Sequence, residues 1–217
     1  MIILSTKDIV ASDVIKYPNI YIPQYKVTFI TGPSGCGKTT LFKIFNRTFD
    51  FKEGEVFYKN NNILNMDPLK LRKYMDPLKL RKSIILAGQD SFLFEGTIRE
   101  NFQKFYEYRD IPQLSDEQIQ YYLKLTLVNA SLDTLCETLS GGQRHRIFIS
   151  IMCSFKPDVI LLDEPTAALD ENTASCFLNN IINFCKLEKI TPVIISHSNK
   201  LTQDFADHII NLGGHNE

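Results

Sequence analysis

Short apolar runs bounded by turn residues recur along the chain and predict buried β-strands. Four such runs occupy residues 25–31, 83–87, 158–162 and 192–196. Their mostly apolar and β-branched character is typical of strands that are covered on both faces of a parallel sheet. Amphipathic stretches that predict helices occupy residues 143–155, 171–186 and 199–205. This alternation of strands and helices indicates an α/β domain with a mostly parallel sheet.

The strand pattern disappears between Gly96 and Leu139, and helix signals replace it. Ser115 and Gln118 have the spacing of a capping box ahead of an apolar-periodic stretch at 119–128. We therefore predict one domain over residues 1–217, with a helical subdomain inserted in its core at approximately 97–142.

One octapeptide, Met-Asp-Pro-Leu-Lys-Leu-Arg-Lys, occurs at 66–73 and again at 75–82. In each copy the Asp (Asp67, Asp76) is predicted to cap a short helix, with the Pro (Pro68, Pro77) at the first helical position. The repeat is either a tandem duplication tolerated in a surface connection or a basic docking element. Two short copies are too few for a stacked repeat architecture, which favours the duplication.

Composition gives no support to several classes of protein. The 24 basic and 25 acidic side chains nearly balance, so nothing favours a nucleic-acid partner, and none is expected. The odd number of cysteines, without CxxC spacing, fits reduced thiols in a cytoplasmic protein. We expect no export signal at residues 1–4, and the apolar runs are far shorter than the roughly 20 residues that a membrane-spanning helix needs.

A phosphate-loop pattern follows the first predicted strand and precedes a helix-like stretch. It comprises Gly32, Pro33, Ser34, Gly35, Cys36, Gly37, Lys38 and Thr39, and Thr40 continues it. Glycines let successive backbone N–H groups point at a phosphate, and the helix start adds positive potential. Lys38 is predicted to reach the β- and γ-phosphate oxygens of a nucleotide, and Thr39 to bind Mg²⁺.

A buried strand at 159–162 ends in two adjacent carboxylates, Asp163 and Glu164. Because successive side chains of a strand point to opposite faces, the two groups are expected to have separate tasks. Asp163 is predicted to hold the metal shell, and Glu164 to face a water in line with the γ-phosphate.

A second glycine-rich turn, Leu-Ser-Gly-Gly-Gln at 139–143, precedes another amphipathic run. By itself it is either an ordinary helix cap made by Ser140 or a second anion site. With this pentapeptide ahead of the acidic strand, the chain from about 20 to 212 resembles the ATP-binding cassette family, whose signature the pentapeptide is. That resemblance implies a P-loop nucleoside triphosphatase core with an N-terminal β portion and an inserted helical subdomain.

Further site residues are implied by the resemblance. Gln89 resembles the family's Q-loop glutamine, which contacts Mg²⁺ or the attacking water. His197 resembles the switch histidine that touches the γ-phosphate, and Asp170 ends a stretch that resembles the D-loop of the dimer seam. Ser140, Gly141, Gly142 and Gln143 would complete the ATP site of a second copy. ATP and Mg²⁺ are thus the expected cofactors, and Glu164, His197, Gln89 and Lys38 the expected catalytic residues.

The chain also departs from the family pattern. Many members stack an aromatic residue on adenine, but residues 3–10 contain none, and Tyr17 and Tyr21 come too late in the sequence. Tyr25 stands where a glycine is usual before the phosphate-loop strand. Preference for adenine is therefore less secure than phosphate binding.

Three functions are compatible with these motifs. The first is an ATPase subunit on the inner face of a membrane, which pairs with itself or another cassette and drives a separate permease; the segment 94–101 resembles transport cassettes. The second, a DNA-repair or chromosome ATPase, needs a long coiled coil, and only about 50 residues separate Gln89 from Leu139. The third is a regulator or assembly factor that uses ATP-dependent dimerisation as a switch.

Overall fold

A sheet of five parallel strands forms the centre of the computed structural model, which describes residues 1–63, 77–90 and 92–213. In chain order the strands and helices of this part are β1 (Ile2–Val10), β2 (Tyr21–Pro23), β3 (Thr28–Thr31), α1 (Lys38–Phe45), β4 (Glu53–Tyr58), β5 (Asn61–Asn62), α2 (Pro77–Ser83), β6 (Ile84–Ala87), α3 (Ile98–Glu107), α4 (Asp116–Leu125), α5 (Gly141–Ser154), β7 (Val159–Asp163), α6 (Glu171–Glu188), β8 (Thr191–Ile195), α7 (Asn199–Phe205) and β9 (His208–Asn211). The parallel sheet has the strand order β6, β7, β8, β3, β9, as the alternating pattern predicts.

The central strands are mostly apolar, because both of their faces are covered. Along β7, Ile160 and Leu162 pack in one hydrophobic cluster with α3 to α6. Val159 and Leu161 alternate with them and pack in a second cluster with α1 and the N-terminal strands. Burial of two complete faces explains why these segments lack the polar alternation of a half-exposed strand.

An antiparallel sheet, in the order β2, β1, β4, β5, covers the second cluster and confirms the predicted N-terminal β portion. The pairing of β1 with β4 shifts register between Lys7 and Val10, where Asp8 has φ 51°. Gly54 lies against this bulge. A Cβ added there would stand 2.5 Å from the Asp8 carbonyl oxygen, so only glycine lets the two backbones approach this closely.

Most predicted element boundaries agree with the structure within two residues. The predicted stretch 119–128 is displaced by three residues from α4, and the first predicted strand, 25–31, is too long, because β3 begins only at Thr28. Tyr25 has φ 61° and lies in a turn, where it occupies the left-handed conformation that glycine adopts without steric cost. The predicted extended conformation at Tyr25 is therefore wrong, because the chain turns there before it enters the central sheet.

Two helices occupy the region predicted to be a helical subdomain. The predicted capping box is present, since Ser115 Oγ accepts from Gln118 N and the Gln118 side chain accepts from Ser115 N. The helix ends earlier than the predicted 128, because Leu127 turns with φ 56°. A second capping box, formed by Thr97 and Glu100, starts α3. Its Thr-x-x-Glu spacing was an unused signal in the sequence.

The repeated octapeptide falls mostly outside the described residues. The first copy and the start of the second, including Asp67, Pro68 and Asp76, are not part of the described structure. α2 begins at Pro77, the position predicted for that residue. Arg81 of the second copy donates to the backbone carbonyls of Asn46 and Arg47, beyond the end of α1. Both interpretations of the repeat remain predictions.

Candidate functional site

The turn between β3 and α1 is built from glycines in left-handed conformations. Gly32 has φ 146°, Gly35 has φ 81° and Gly37 has φ 96°. A Cβ on Gly37 would lie 2.6 Å from the Tyr17 hydroxyl oxygen and 3.1 Å from Ile15 Cγ2. The sequence can therefore form this tight turn only with glycine at Gly37, and the turn ends at the N-terminus of α1, where the helix dipole favours an anion.

Lys38 is held against this turn by the turn's own backbone. Its side-chain nitrogen donates to the carbonyl oxygens of Gly32 and Pro33, at 2.8 Å each, and the residue is only 7% exposed. The ammonium group is thus oriented by two short hydrogen bonds before any anion arrives.

A cavity of about 290 Å³ adjoins this turn. Its lining brings together residues from distant parts of the chain, namely Ile15, Ser34, Gly35, Gly37, Lys38, Thr39, Thr40, Gln89, Glu164 and His197. The phosphate-loop residues thus share one cavity with the predicted Q-loop glutamine, the predicted base and the predicted switch histidine.

Asp163 lies at the end of β7, on the face of the sheet that carries α1. Thr39 Oγ1 donates to Asp163 Oδ2 at 2.7 Å, although 124 positions separate the two residues. Among the described residues, the buried Oδ1 of Asp163 has no hydrogen-bond partner. Burial and the charge of Glu164 raise the pKa of this carboxyl above its usual range, while the hydrogen bond from Thr39, the charge of Lys38 and the nearby Gln89 amide act to lower it.

This carboxylate fits a Mg²⁺ ion bound together with phosphate. A buried anionic oxygen without a partner, beside a threonine hydroxyl and a glutamine amide, supplies the hard oxygen ligands that Mg²⁺ prefers. The described residues hold no group of three or more His, Cys, Asp or Glu side chains that could bind a metal. A site with one carboxylate suits Mg²⁺, which is usually bound through one or two carboxylates plus substrate phosphates.

Replacing Asp163 with Asn should stabilise the nucleotide-free protein and impair Mg²⁺-dependent catalysis. The amide keeps an acceptor for Thr39 but removes a buried charge, so we expect a gain of about 1 kcal/mol in the free energy of unfolding. ATP hydrolysis should fall by roughly 100-fold, because the carboxylate that we predict to hold Mg²⁺ is lost. Calorimetric unfolding in EDTA and a steady-state ATPase assay measure the two effects.

The sign of the pH dependence provides a further check. Because the folded-state pKa of Asp163 is raised, the native parent binds a proton more tightly than the unfolded chain does. The contribution of Asp163 to the free energy of unfolding of the parent therefore falls as the pH rises from the pKa of Asp163 in the unfolded chain through its pKa in the folded protein. The gain in the free energy of unfolding of Asp163→Asn should therefore be complete above the folded-state pKa and vanish below the unfolded-state pKa. An advantage that persists at the acid end would contradict this origin.

Glu164 and His197 contact each other at the cavity. His197 Nε2 lies 2.9 Å from Glu164 Oε1, and Glu164 N donates to Ile195 O at 3.1 Å, which ties the start of the loop to β8. Glu164 has φ 50°, a left-handed conformation that is costly for a residue with a side chain. Such strained residues concentrate at functional sites. Here the left-handed conformation of Glu164 turns the chain sharply after Asp163.

The Leu-Ser-Gly-Gly-Gln turn forms a separate feature. Ser140 caps α5 in a full capping box with Gln143, so the predicted cap is present. Gly142 lies close to the stretch 167–170, which resembles the D-loop, because a Cβ added to Gly142 would lie 3.2 Å from Ala168 Cβ. Asp170 caps α6 by accepting from Thr173 N at 3.0 Å. Residues 140–143 and Asp170 are not among the described residues that line the phosphate-loop cavity.

Neither tyrosine near the phosphate loop lines its cavity. Tyr17 is 6% exposed, and its hydroxyl donates to Gly37 O at 2.8 Å, so it supports the turn from beneath. Burial raises the pKa of Tyr17 well above its usual value, which keeps the hydroxyl a donor. Tyr21 lies on the edge strand β2. Ile15 lines the cavity instead, and a single aliphatic residue 17 positions before Gly32 carries no recognisable signal in the sequence.

The fold and this cavity define a P-loop nucleoside triphosphatase, in which a parallel sheet presents a glycine-rich turn and strand-end carboxylates to a nucleotide. Residues 15–167 match the family model described as ABC transporter. The chain therefore belongs to the ABC transporter family and is an ATP-binding ATPase, as the sequence motifs predict.

Relatives by sequence carry ABC transporter names. The chain is 35% identical over 198 residues to ABC transporter I family member 17 of Arabidopsis thaliana, covering 90% of this chain and 71% of that protein. It is 32% identical over 198 residues to the phosphate import ATP-binding protein PstB of Aeropyrum pernix, covering 86% and 75%.

Solved structures support the same fold. cbiO1 of Clostridium perfringens, described as part of the ABC transporter complex cbiONQ, matches with a TM-score of 0.77 and 26% identity over 97% of this chain and 84% of that one. A bacterial Atm1-family ABC exporter with ATP bound matches with a TM-score of 0.81 and 23% identity over 97% and 37%, and shows the fold alone. Within the described part of the chain, every helix is too short or too polar to cross a bilayer.

Proposed function

We propose that this chain is the ATP-hydrolysing subunit of an ABC transporter, which dimerises around two Mg-ATP and drives a separate membrane permease from the inner face of the membrane. One observation carries the proposal. A single cavity joins Lys38 and Thr39 to Gln89, Glu164 and His197, whereas the signature turn at 140–143 lies apart from it. Each chain therefore carries the catalytic half of one ATP site, formed by this cavity, and the signature half of another, formed by the turn at 140–143.

The residues of the cavity divide the work of hydrolysis. The N–H groups of residues 35–38 and the Lys38 ammonium bind the β- and γ-phosphates. Thr39, Asp163 and Gln89 would hold Mg²⁺, which when bound offsets the negative charge of the phosphates. Glu164 accepts a proton from the attacking water, and His197, already 2.9 Å from Glu164, contacts the γ-phosphate and holds that carboxylate in place.

The exposed signature turn is the basis for the proposed dimer. The N-terminus of α5 presents Ser140, Gly141 and Gly142 in a capped turn with free space at Gly141, where an added Cβ would have no neighbour within 4 Å. In a head-to-tail pair, this turn would contact the γ-phosphate bound by the second copy. Loss of the γ-phosphate removes the shared anion and reopens the pair, which supplies a mechanical step.

An exposed aromatic patch close to Gln89 in sequence offers a docking surface for the permease. We define this patch as Phe92, Phe94, Phe105 and Tyr108. Phe94 is its centre, with ring centroids 4.9 Å from Phe92, 5.3 Å from Phe105 and 5.6 Å from Tyr108. Phe92 is 60% exposed and Tyr108 is 77% exposed. Phe94 and Phe105 are half-buried. An aromatic cluster with two largely exposed members is typical of a protein interaction site.

A cytoplasmic segment of the permease is the occupant that we infer for the patch. The cbiO1 relative is described as part of a transporter complex, which supports a partner chain of this kind. The patch also carries a cation, since Lys104 lies 5.5 Å from the Phe94 ring centroid. A partner segment with apolar side chains and a carboxylate would match both features.

Copurification and stimulation of the ATPase test this function together. The full chain, tagged and purified from detergent-solubilised host membranes, should carry a polytopic membrane protein that raises its ATPase rate several-fold after reconstitution. A double substitution, Phe92→Ser with Tyr108→Ser, should abolish both effects and leave the ATPase rate of the isolated chain within about twofold of the parent.

Tyr121→Ser provides the matched control, because Tyr121 is 50% exposed on α4 and lies outside the patch. This control should retain the membrane protein. If no membrane protein accompanies the active parent chain, the transport proposal fails, and the ATP-dependent dimerisation switch becomes the better account. If the double variant retains full stimulation, the docking surface is elsewhere.

A further inference from the structure

Two segments that are distant in sequence run side by side ahead of α3 and ahead of the signature turn. Ile98 N donates to Thr134 O and Arg99 N donates to Leu132 O, each at 3.0 Å. The adjacent residues Thr97 and Leu135 form an antiparallel β-bridge. We call the paired segments 94–99 and 132–137 the bridge ladder.

The end of the bridge ladder nearest the signature turn has further bonds. Cys136 N donates to Gly96 O at 2.9 Å, and Gly96 N donates to Glu137 Oε1 at 2.7 Å. Both backbone polar groups of Gly96 are therefore bonded to the residues that lead into Ser140. A displacement of Gly96 must either move this segment or break these hydrogen bonds.

Asn101 lies in the first turn of α3, directly after the bridge ladder, and is fully buried. Its Oδ1 accepts from Phe94 N at 2.8 Å, and its Nδ2 lies 3.0 Å from the carbonyl oxygens of both Phe94 and Thr97. The same Nδ2 lies 3.4 Å from Cys136 Sγ. Burial raises the pKa of the Cys136 thiol to about 11, so the sulfur remains a neutral weak acceptor.

One side chain thus connects the aromatic patch with the segment before the signature turn. Phe94 is the centre of the patch, and Asn101 bonds both backbone polar groups of that residue. From Cys136, a 3₁₀ turn over Cys136–Thr138 leads directly to Leu139, whose N–H donates to Cys136 O. Hydrogen bonds therefore connect Phe94 to Asn101, Asn101 to Cys136, and Cys136 to the turn that leads into Ser140.

We propose that Asn101 is a positioning residue that couples the aromatic patch to the signature turn. It sets where Ser140 stands relative to the catalytic half of a second copy. This inference rests on the proposed dimer. Asn101 touches neither nucleotide nor reacting atoms, so its loss should leave nucleotide binding within one chain intact and weaken the pairing of two chains.

The test separates these two properties in a Glu164→Gln background, where ATP is retained. Calorimetry with Mg-ADP measures nucleotide binding by single chains, and light scattering during a Mg-ATP titration measures dimerisation. Adding Asn101→Ala should change the Mg-ADP affinity by less than about twofold and raise the Mg-ATP concentration at the dimerisation midpoint by about tenfold or more. The 94–97 and 136–140 amides should also exchange faster with deuterium, because their shared bonds are lost.

Two further variants make the result decisive. Gln103→Ala, at an exposed position of α3, should leave both measurements unchanged. Glu137→Ala removes only the exposed carboxylate that binds Gly96 N, and should raise the midpoint in the same direction by a smaller factor even if Asn101→Ala fails to fold. Parent-like dimerisation in Glu137→Ala and in folded Asn101→Ala would overturn the coupling. A background protein that stays monomeric would instead overturn the proposed dimer.

Discussion

Replacing Glu164 with Gln is expected to lower the turnover number for ATP by about 100-fold or more, because an amide cannot accept the proton of the attacking water. The substitution preserves size, the left-handed backbone at φ 50° and a polar contact with His197, so the fold should be unchanged. Affinity for Mg-ATP should stay within about threefold of the parent. ATP that is bound and not hydrolysed should then hold two chains together, which size-exclusion chromatography with light scattering would detect.

Glu171→Gln is the appropriate control for this substitution. Glu171 is an exposed carboxylate at the start of α6, paired with Lys200 and outside the phosphate-loop cavity. Its neutralisation should leave turnover within about twofold of the parent. Turnover at the parental rate in Glu164→Gln would remove Glu164 from the role of general base. A protein that is inactive but monomeric at saturating Mg-ATP would remove the signature turn from the second site.

Replacing Lys38 with Ala should weaken nucleotide binding by roughly 10-fold to 100-fold, the usual contribution of charged hydrogen bonds to a phosphate. The ammonium already stands inside the turn, held at 2.8 Å by Gly32 O and Pro33 O, so little ordering is needed when the nucleotide binds. Titration calorimetry with ATP, in the presence of Mg²⁺, measures this loss. Turnover should fall further, because the same charge stabilises the γ-phosphate during transfer.

Lys43→Ala on the same helix controls for a loss of positive charge in general. Lys43 is exposed near the C-terminal end of α1, away from the turn. Its removal should leave the affinity for ATP within about twofold of the parent. An unchanged affinity in Lys38→Ala would be incompatible with phosphate binding at this turn. A thermal unfolding measurement on both variants would show whether the lost Gly32 and Pro33 bonds alone account for any change.

Local sequence signals predicted much of the architecture correctly. The capping box at Ser115 and the helix cap at Ser140 were recognisable, because each cap depends on residues that lie within four positions of each other. The three strands at 83–87, 158–162 and 192–196 were visible because burial on both faces requires unbroken apolar runs. Tyr25 misled the same reasoning, since the apolar and β-branched residues at 27–31 favour a strand, while the tertiary structure places Tyr25 in a left-handed turn.

The candidate site was only partly accessible from the sequence. Lys38, Thr39, Asp163 and Glu164 belong to short motifs whose chemistry is local, and resemblance supplied Gln89 and His197. Ile15 could not be predicted, because its place in the cavity depends on how β1 and the turn after it pack against α1. The roles of Ser140 and Asp170 toward a second copy remain predictions, which the Glu164→Gln experiment addresses.

By itself, the sequence determined the phosphate loop, the acidic strand end and the helix caps, because each depends on contacts between residues close along the chain. Only the tertiary structure decided that Thr39 bonds Asp163, that Tyr17 supports Gly37 from beneath and that Asn101 joins Phe94 to Cys136. Those contacts arise when whole layers pack on the central sheet. No short segment carries the information, since the positions of both partners depend on the complete hydrophobic core.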